Sequence, residues 1–275
     1  TISGVPWNKT AVGAKITKLT IGTVPGDEEH VRDISRYGDA DGEIIWPAGI
    51  ALDSDENIYV TDQSVHKIVI FDKDGAFLGK WGKVGSGEGQ FNRPSGIAFD
   101  KDDNLYVVDT FNTRVQKFTR DREHLGRFGG PGDGDGQLNM PWGIANDEDG
   151  NVYVADWRND RVQKFSGDGE FLFKFGRSGT GKGEFNRPSS VAVDAHGDIY
   201  VCDWGNDRVQ LFSPQGRYVE EFIGDANMSR SGREYVMANQ VVLRLREMAD
   251  LEPTKRLRSP ISVKVDDQFR LSICD

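Results

Sequence analysis

No run of apolar residues in this chain of 275 approaches the roughly 20 that a membrane-spanning helix needs, and no charged-then-apolar leader opens it. Because the first residues fall in the middle of a repeat, an upstream targeting segment remains compatible with the sequence. Basic residues are scarce too. Lys+Arg number 34 against 44 Asp+Glu, a net charge of -10, which argues against an extended phosphate-binding surface but leaves a local basic patch possible. Histidine occurs four times, as His30, His66, His124 and His196, at unrelated places in the repeat described below. These histidines cannot meet at one height as a zinc site, so no metal and no cofactor is expected. Cysteine occurs twice, as Cys202 and Cys274, each just before an Asp that ends a strand. Equivalent strands of neighbouring units lie too far apart for a disulfide, and other units place Thr61, Val108 and Ala155 there. Both cysteines therefore read as compact buried side chains. A soluble monomer, by preference cytoplasmic, is expected.

Against these absences stands one strong presence. Pro47, Pro94, Pro141 and Pro188 are spaced by 47 residues and open four copies of one phrase: WPAGIALDSDENIYVTD, RPSGIAFDKDDNLYVVD, MPWGIANDEDGNVYVAD and RPSSVAVDAHGDIYVCD. A fifth, SPISVKVDDQFRLSICD, contains Pro260 and ends the chain. A period of this length predicts a repeat architecture whose units bury their faces only against their neighbours. The unit at Pro141 predicts strands at 142–146, 152–155, 161–165 and 171–175, separated by polar turns. Four antiparallel strands in 47 residues is one propeller blade. The inner strand alternates small and branched residues (Gly96, Ile97, Ala98), as convergence near an axis requires. The outer strand carries a fixed aromatic, Trp81, Phe128, Phe175 or Phe222, where the blades splay.

Between blades runs a Gly-rich link, GSGEGQFN at 85–92, GDGDGQLN at 132–139 and GTGKGEFN at 179–186. One copy imitates a nucleotide-binding loop around Lys182. Gly183 stands where such a loop needs Ser or Thr, and the other copies lack the lysine, so no nucleotide site is expected.

The turn after the second strand repeats D-x-x-N-x-R-V-Q: Asp109, Asn112, Arg114, Gln116; Asp156, Asn159, Arg161, Gln163; Asp203, Asn206, Arg208, Gln210. Asp and Arg at this spacing can pair across the turn while Asn bonds turn backbone. Recurrence marks them as struts rather than catalysts. With the P-x-G-I/V-A and Y-V runs, this signature resembles the NHL repeat family. That resemblance implies an all-β, six-bladed propeller of four-stranded antiparallel blades, used as a platform for protein or RNA. The blade at Asp62 departs from it, with Val65 and Lys67 in place of Asn and Arg, so a looser turn is expected there.

The whole chain reads as one domain: a partial blade at 1–45, blades at 46–92, 93–139, 140–186 and 187–224, an insertion at 225–257 and a partial last blade at 258–275. In the partial first blade, 16–19 and 30–37 are expected to be the two outer strands, and 38–42 the link into Trp46 and Pro47. A six-bladed ring with incomplete ends competes with a five-bladed one closed by joining the two partial blades.

Function is sought where copies differ. Within the insertion, 237–250 has helical spacing and predicts a short amphipathic helix that packs over the junction or edges a pocket. Trp157 and Trp204 share one position in adjacent blades where others carry Gln63 and Thr110. Arg158, Arg187, Arg93 and Trp142 are expected on the same face, and such residues make good anchors. Acidic hairpins (Asp53/Asp55/Glu56, Asp102/Asp103, Asp147/Glu148/Asp149) gather opposite. Lys264 replaces the inner-strand alanine, and Asn146 stands where others have Leu52, Phe99 and Val193. Two functions follow: a non-enzymatic scaffold that binds a protein or small polar ligand in preference to RNA, or a metal-dependent hydrolase or lyase using the central channel.

Overall fold

The computed structural model describes residues 17–20, 29–223, 257, 259–266 and 271–274. Four four-stranded antiparallel sheets follow one another along the chain. The first blade comprises Pro47–Leu52, Ile58–Asp62, Lys67–Phe71 and Phe77–Trp81. The second comprises Pro94–Phe99, Leu105–Asp109, Arg114–Phe118 and His124–Gly129. The third comprises Ile144–Asn146, Val152–Asp156, Arg161–Phe165 and Phe171–Phe175. The fourth comprises Pro188–Val193, Ile199–Asp203, Arg208–Phe212 and Tyr218–Phe222. This is an all-β propeller.

Two antiparallel pairs flank the blades, Thr17–Thr20 with Glu29–Asp33 and Ser262–Val265 with Leu271–Cys274. Each forms its own two-stranded sheet, and neither ring closure expected from the sequence is made by a ladder among the described residues. The expected helix at 237–250 lies outside the described residues.

Packing between blades follows the taper. Second strands are buried along their whole length, so they read as apolar runs rather than alternating ones. At the wide rim, three of the four outer-strand aromatics meet the third-strand Phe of the next blade: Trp81 with Phe118, Phe128 with Phe165 and Phe175 with Phe212, all with ring centroids 4.8 Å apart. At the narrow end, backbones nearly touch. A Cβ on Gly96 would lie 2.5 Å from the Trp142 carbonyl oxygen, and one on Gly143 2.6 Å from the Cα of Ser190. Only glycine admits that approach.

The same crowding corrects one boundary. The inner strand of the third blade begins at Ile144 rather than at Trp142. The Trp142 carbonyl is taken instead by Gly96 N–H and Ser95 Oγ of the second blade, both at 2.8 Å. A second correction concerns 30–37. The strand stops at Asp33, and Arg36–Tyr37 pairs in parallel with Glu43–Ile44. This is a further copy of the interblade link, which bridges Val84 to Phe91, Pro131 to Leu138 and Ser178 to Phe185 in the same parallel sense. In every copy the last residue, Ile44, Phe91, Leu138 or Phe185, is fully buried. An apolar plug fixes the link, and the glycines let it turn.

Candidate functional site

Each D-x-x-N-x-R-V-Q copy forms a clasp. The Asp156 carboxylate, fully buried, accepts from Asn139 N–H at 2.7 Å, Asn159 Nδ2 at 2.8 Å, Arg161 Nε at 2.8 Å and Gln163 Nε2 at 3.1 Å. Asp109 and Asp203 repeat this with Asn112, Arg114 and Gln116 and with Asn206, Arg208 and Gln210. Burial raises the Asp156 and Asp203 carboxyl pKa, and the donors oppose it. The rest of each arginine reaches the preceding link: Arg161 donates to the carbonyls of Asp133, Gly134 and Gln137. The asparagine does so as well. Instead of bonding its own turn backbone, Asn159 Nδ2 reaches the Gly132 carbonyl at 2.9 Å. The clasp therefore ties each blade to the link that enters it.

At Asp62 the clasp is simplified. Among the described residues, its carboxylate accepts only backbone N–H groups, from Ile45, Trp46, Ser64 and Val65, and the turn lacks the short 3-10 segment found at 110–112, 157–159 and 204–206.

The turns after the clasps place aromatic and basic side chains on one face. Trp142 and Trp157 lie with ring centroids 6.2 Å apart. The Arg187 guanidinium carbon sits 5.1 Å from the Trp157 ring centroid and 6.0 Å from that of Trp204, bridging third and fourth blades. The Arg158 guanidinium carbon also lies 5.8 Å from the Trp157 ring centroid. Arg187 is exposed and both tryptophans are half-buried. Backbone geometry explains this placement. Arg187 adopts φ 59, the left-handed region that a non-glycine residue enters at a cost, and its N–H donates to Asp160 Oδ1 at 2.7 Å. Arg93 repeats this in the second blade with φ 53 and a bond to His66 Nδ1 at 3.0 Å, but it stacks on Phe111 at 4.9 Å. The structure thus joins Trp142, Trp157, Arg158, Arg187 and Trp204, while Arg93 pairs with Phe111, a residue the sequence reading passed over. Its signal was available: Phe111 stands at the position of Arg158, one residue past the tryptophan position.

The opposite face is less negative than its composition suggests. Arg120 bridges Asp53, Asp55 and Asp103, and Lys164 pairs with Asp147 at 3.0 Å. Asp147 also accepts from Asn151 N–H at 2.8 Å. Burial resists its ionisation, but bonds from Asn151 and Lys164 prevail and lower its pKa.

Two cavities occupy the axis. One, of about 120 Å³, opens toward the tryptophan face and is lined by Trp142, Gly143, Ser189, Ser190, Ser262 and Lys264 among others. The second, of about 230 Å³, lies at the hairpin end of the inner strands, with Lys264 at its wall. Among the described residues, no three His, Cys, Asp or Glu side chains gather as a metal site. Both cysteines are unpaired, and burial pushes the Cys202 thiol pKa up. In the link that imitates a nucleotide loop, the Lys182 ammonium lies 5.6 Å over Tyr218, and strand Pro188–Val193 follows. No described helix is long and apolar enough to cross a membrane.

Comparison with known proteins agrees with this geometry. A family model described as a 6-bladed β-propeller matches residues 49–125, and an NHL repeat model matches 138–165 and 185–212. RING finger protein nhl-1 of Caenorhabditis elegans is 43% identical over 47 residues, which is 17% of this chain and 5% of that protein. Among solved structures, virginiamycin B lyase from Staphylococcus aureus superposes with a TM-score of 0.55 at 12% identity, covering 83% of this chain and 62% of that one. A streptogramin B lyase gives 0.59 at 14%, covering 94% and 69%. A nidogen/laminin complex gives 0.58 at 17%, covering 96% and 81%. At such identities the likeness is one of fold.

Proposed function

Starting from an NHL-repeat β-propeller, we propose a non-enzymatic binding platform that presents the Trp142–Trp157–Arg187–Trp204 face to an acidic segment of a protein partner. The observation that carries this is the Arg187 guanidinium, 5.1 and 6.0 Å from indole rings of two different blades. The left-handed backbone itself recurs at Arg93, Met140 and Ser259 and belongs to the repeat; the pairing with two indoles does not. The exposed guanidinium offers a planar fork suited to a carboxylate. Arg158 beside it adds a second charge. Two arginines suit one or two carboxylates and not a nucleic-acid backbone, given the excess of acids elsewhere. The half-buried tryptophans supply area at little entropic cost.

The same reading takes the chain as one domain of a six-bladed ring, with 225–257 as an insertion at the edge of this face. The fold is shared with enzymes and with a protein complex, so it does not choose between the scaffold and the hydrolase or lyase readings. The site favours the scaffold.

Selection of a displayed peptide library on the folded protein tests it. Acidic sequences are expected, with binding lost in Arg187→Gly and Trp157→Ala. Selected peptides that lack carboxylates, or that bind those variants as tightly as the parent, would contradict it.

A further inference from the structure

The tryptophan face carries one arginine more than the site proposed above uses. Arg93 enters the second blade at the link position that Arg187 holds in the fourth, with the same left-handed backbone, φ 53 against 59. Each backbone N–H is anchored on the preceding turn, Arg93 on His66 Nδ1 at 3.0 Å and Arg187 on Asp160 Oδ1 at 2.7 Å. Each guanidinium carbon lies near an aromatic ring of its own blade's turn, Phe111 at 4.9 Å and Trp204 at 6.0 Å. Both arginines are exposed. The other copies of this link position carry Trp46, Met140 and Ser259.

Between the two arginines lies the entry to the third blade, which is uncharged at this position. Met140, half-buried, holds the link there, and two residues on Trp142 pairs with Trp157 at 6.2 Å. The three stations are tied together. Ser95, two residues after Arg93, donates its Oγ to the Trp142 carbonyl at 2.8 Å, and the Trp157 ring lies 5.1 Å from the Arg187 guanidinium carbon. Arg93 and Arg187 therefore flank one indole pair.

We infer that the partner segment carries two acidic groups with an apolar residue between them: one acid pairs with Arg93, the other with Arg187, and the apolar side chain covers Trp142 and Trp157. The inference rests on the platform reading and names the motif which that reading leaves open. Charge complementarity sets the two ends, since an exposed guanidinium fork matches a carboxylate. The indole pair sets the middle, where a carboxylate would have no cation of its own. A nucleic-acid strand fits less well, because its regular backbone charge would fall over the uncharged station as well as over the arginines. Two acids on one segment reinforce each other, because binding of the first makes the second contact intramolecular.

Capped synthetic peptides titrated by calorimetry test it. In the two-acid series Asp-Asp pairs flank a central Leu, separated from it by one to three glycines on each side. The one-acid series replaces one Asp-Asp pair by Ser-Ser. At the matching spacing the two-acid peptide is expected to bind the parent at least about tenfold more tightly, the worth of one charged hydrogen bond. Arg93→Met copies the third blade and should therefore fold; it is expected to bring the two peptides to one affinity. A two-acid peptide no tighter than its one-acid counterpart at every spacing, or an advantage that survives Arg93→Met, overturns the inference and leaves the Arg187 site standing. Oligouridylate binding that is lost in both Arg93→Met and Arg187→Gly overturns it as well, by assigning the two stations to RNA. No saturable peptide binding to the parent, or binding unaltered by Arg187→Gly, removes the platform reading and the inference with it.

Discussion

The Arg187 guanidinium lies 5.1 Å from the Trp157 ring because the Arg187 backbone is left-handed, with its N–H anchored on Asp160. This separates stability from binding. Glycine relieves the left-handed conformation, worth about 1–2 kcal/mol, and loses about 0.5–1 kcal/mol of chain entropy plus exposed cation–π contacts of similar size. Arg187→Gly is expected to unfold in urea within about 1 kcal/mol of the parent while losing partner binding. A large loss of stability would show that the arginine is a structural strut.

Asp156→Ala should do the reverse. It leaves Arg161 buried without its carboxylate and loosens the link at 132–139. Breaking a buried pair costs about 3–5 kcal/mol. A clear fall in urea midpoint is expected, with any surviving folded protein binding its partner normally. A stable variant that cannot bind would assign the clasp to function instead.

Acid titration tests Asp147. Its folded pKa is lowered, so its contribution to stability is complete above the ordinary aspartate value, about 3.9, and is lost as pH falls through the folded pKa. Asp147→Asn should therefore reduce the gap between urea midpoints at pH 6 and pH 3. An unchanged gap would contradict the pairing with Lys164 and Asn151.

Lys182 sits in a link shared with copies that lack lysine, with its ammonium over Tyr218. Lys182→Ala should change stability by about 0.5 kcal/mol or less and leave any retention of ATP unchanged. Saturable ATP binding abolished by this substitution would restore the nucleotide-loop reading.

What the sequence disclosed followed from repetition. Four copies of one phrase gave the blades, and the Asp–Arg spacing gave the clasp before any coordinate did. Contacts across blades were harder to read. That Asn159 reaches Gly132 rather than its own turn depends on how the link folds back. The link at 38–42 was legible from its glycines and acids, but that Arg36–Tyr37 belongs to it, paired in parallel with Glu43–Ile44, was not. The trio of Trp157, Arg187 and Trp204 required knowing that Arg187 takes a left-handed backbone, which no propensity foretells for arginine. Phe111 was legible only by comparing copies one residue past the tryptophan position, where it replaces Arg158.

The central claim concerns which face binds. Hydroxyl-radical footprinting of the protein with a selected acidic peptide, read at single residues, tests it most directly. Oxidation of Trp142, Trp157 and Trp204 should fall on binding. Loss of either anchor indole, Trp157 or Trp204, should weaken the peptide at least about thirtyfold, the 2 kcal/mol expected of a buried aromatic anchor. Protection at the Asp53, Asp102 and Asp147 hairpins instead, with the tryptophans oxidised as in the free protein, would contradict the account.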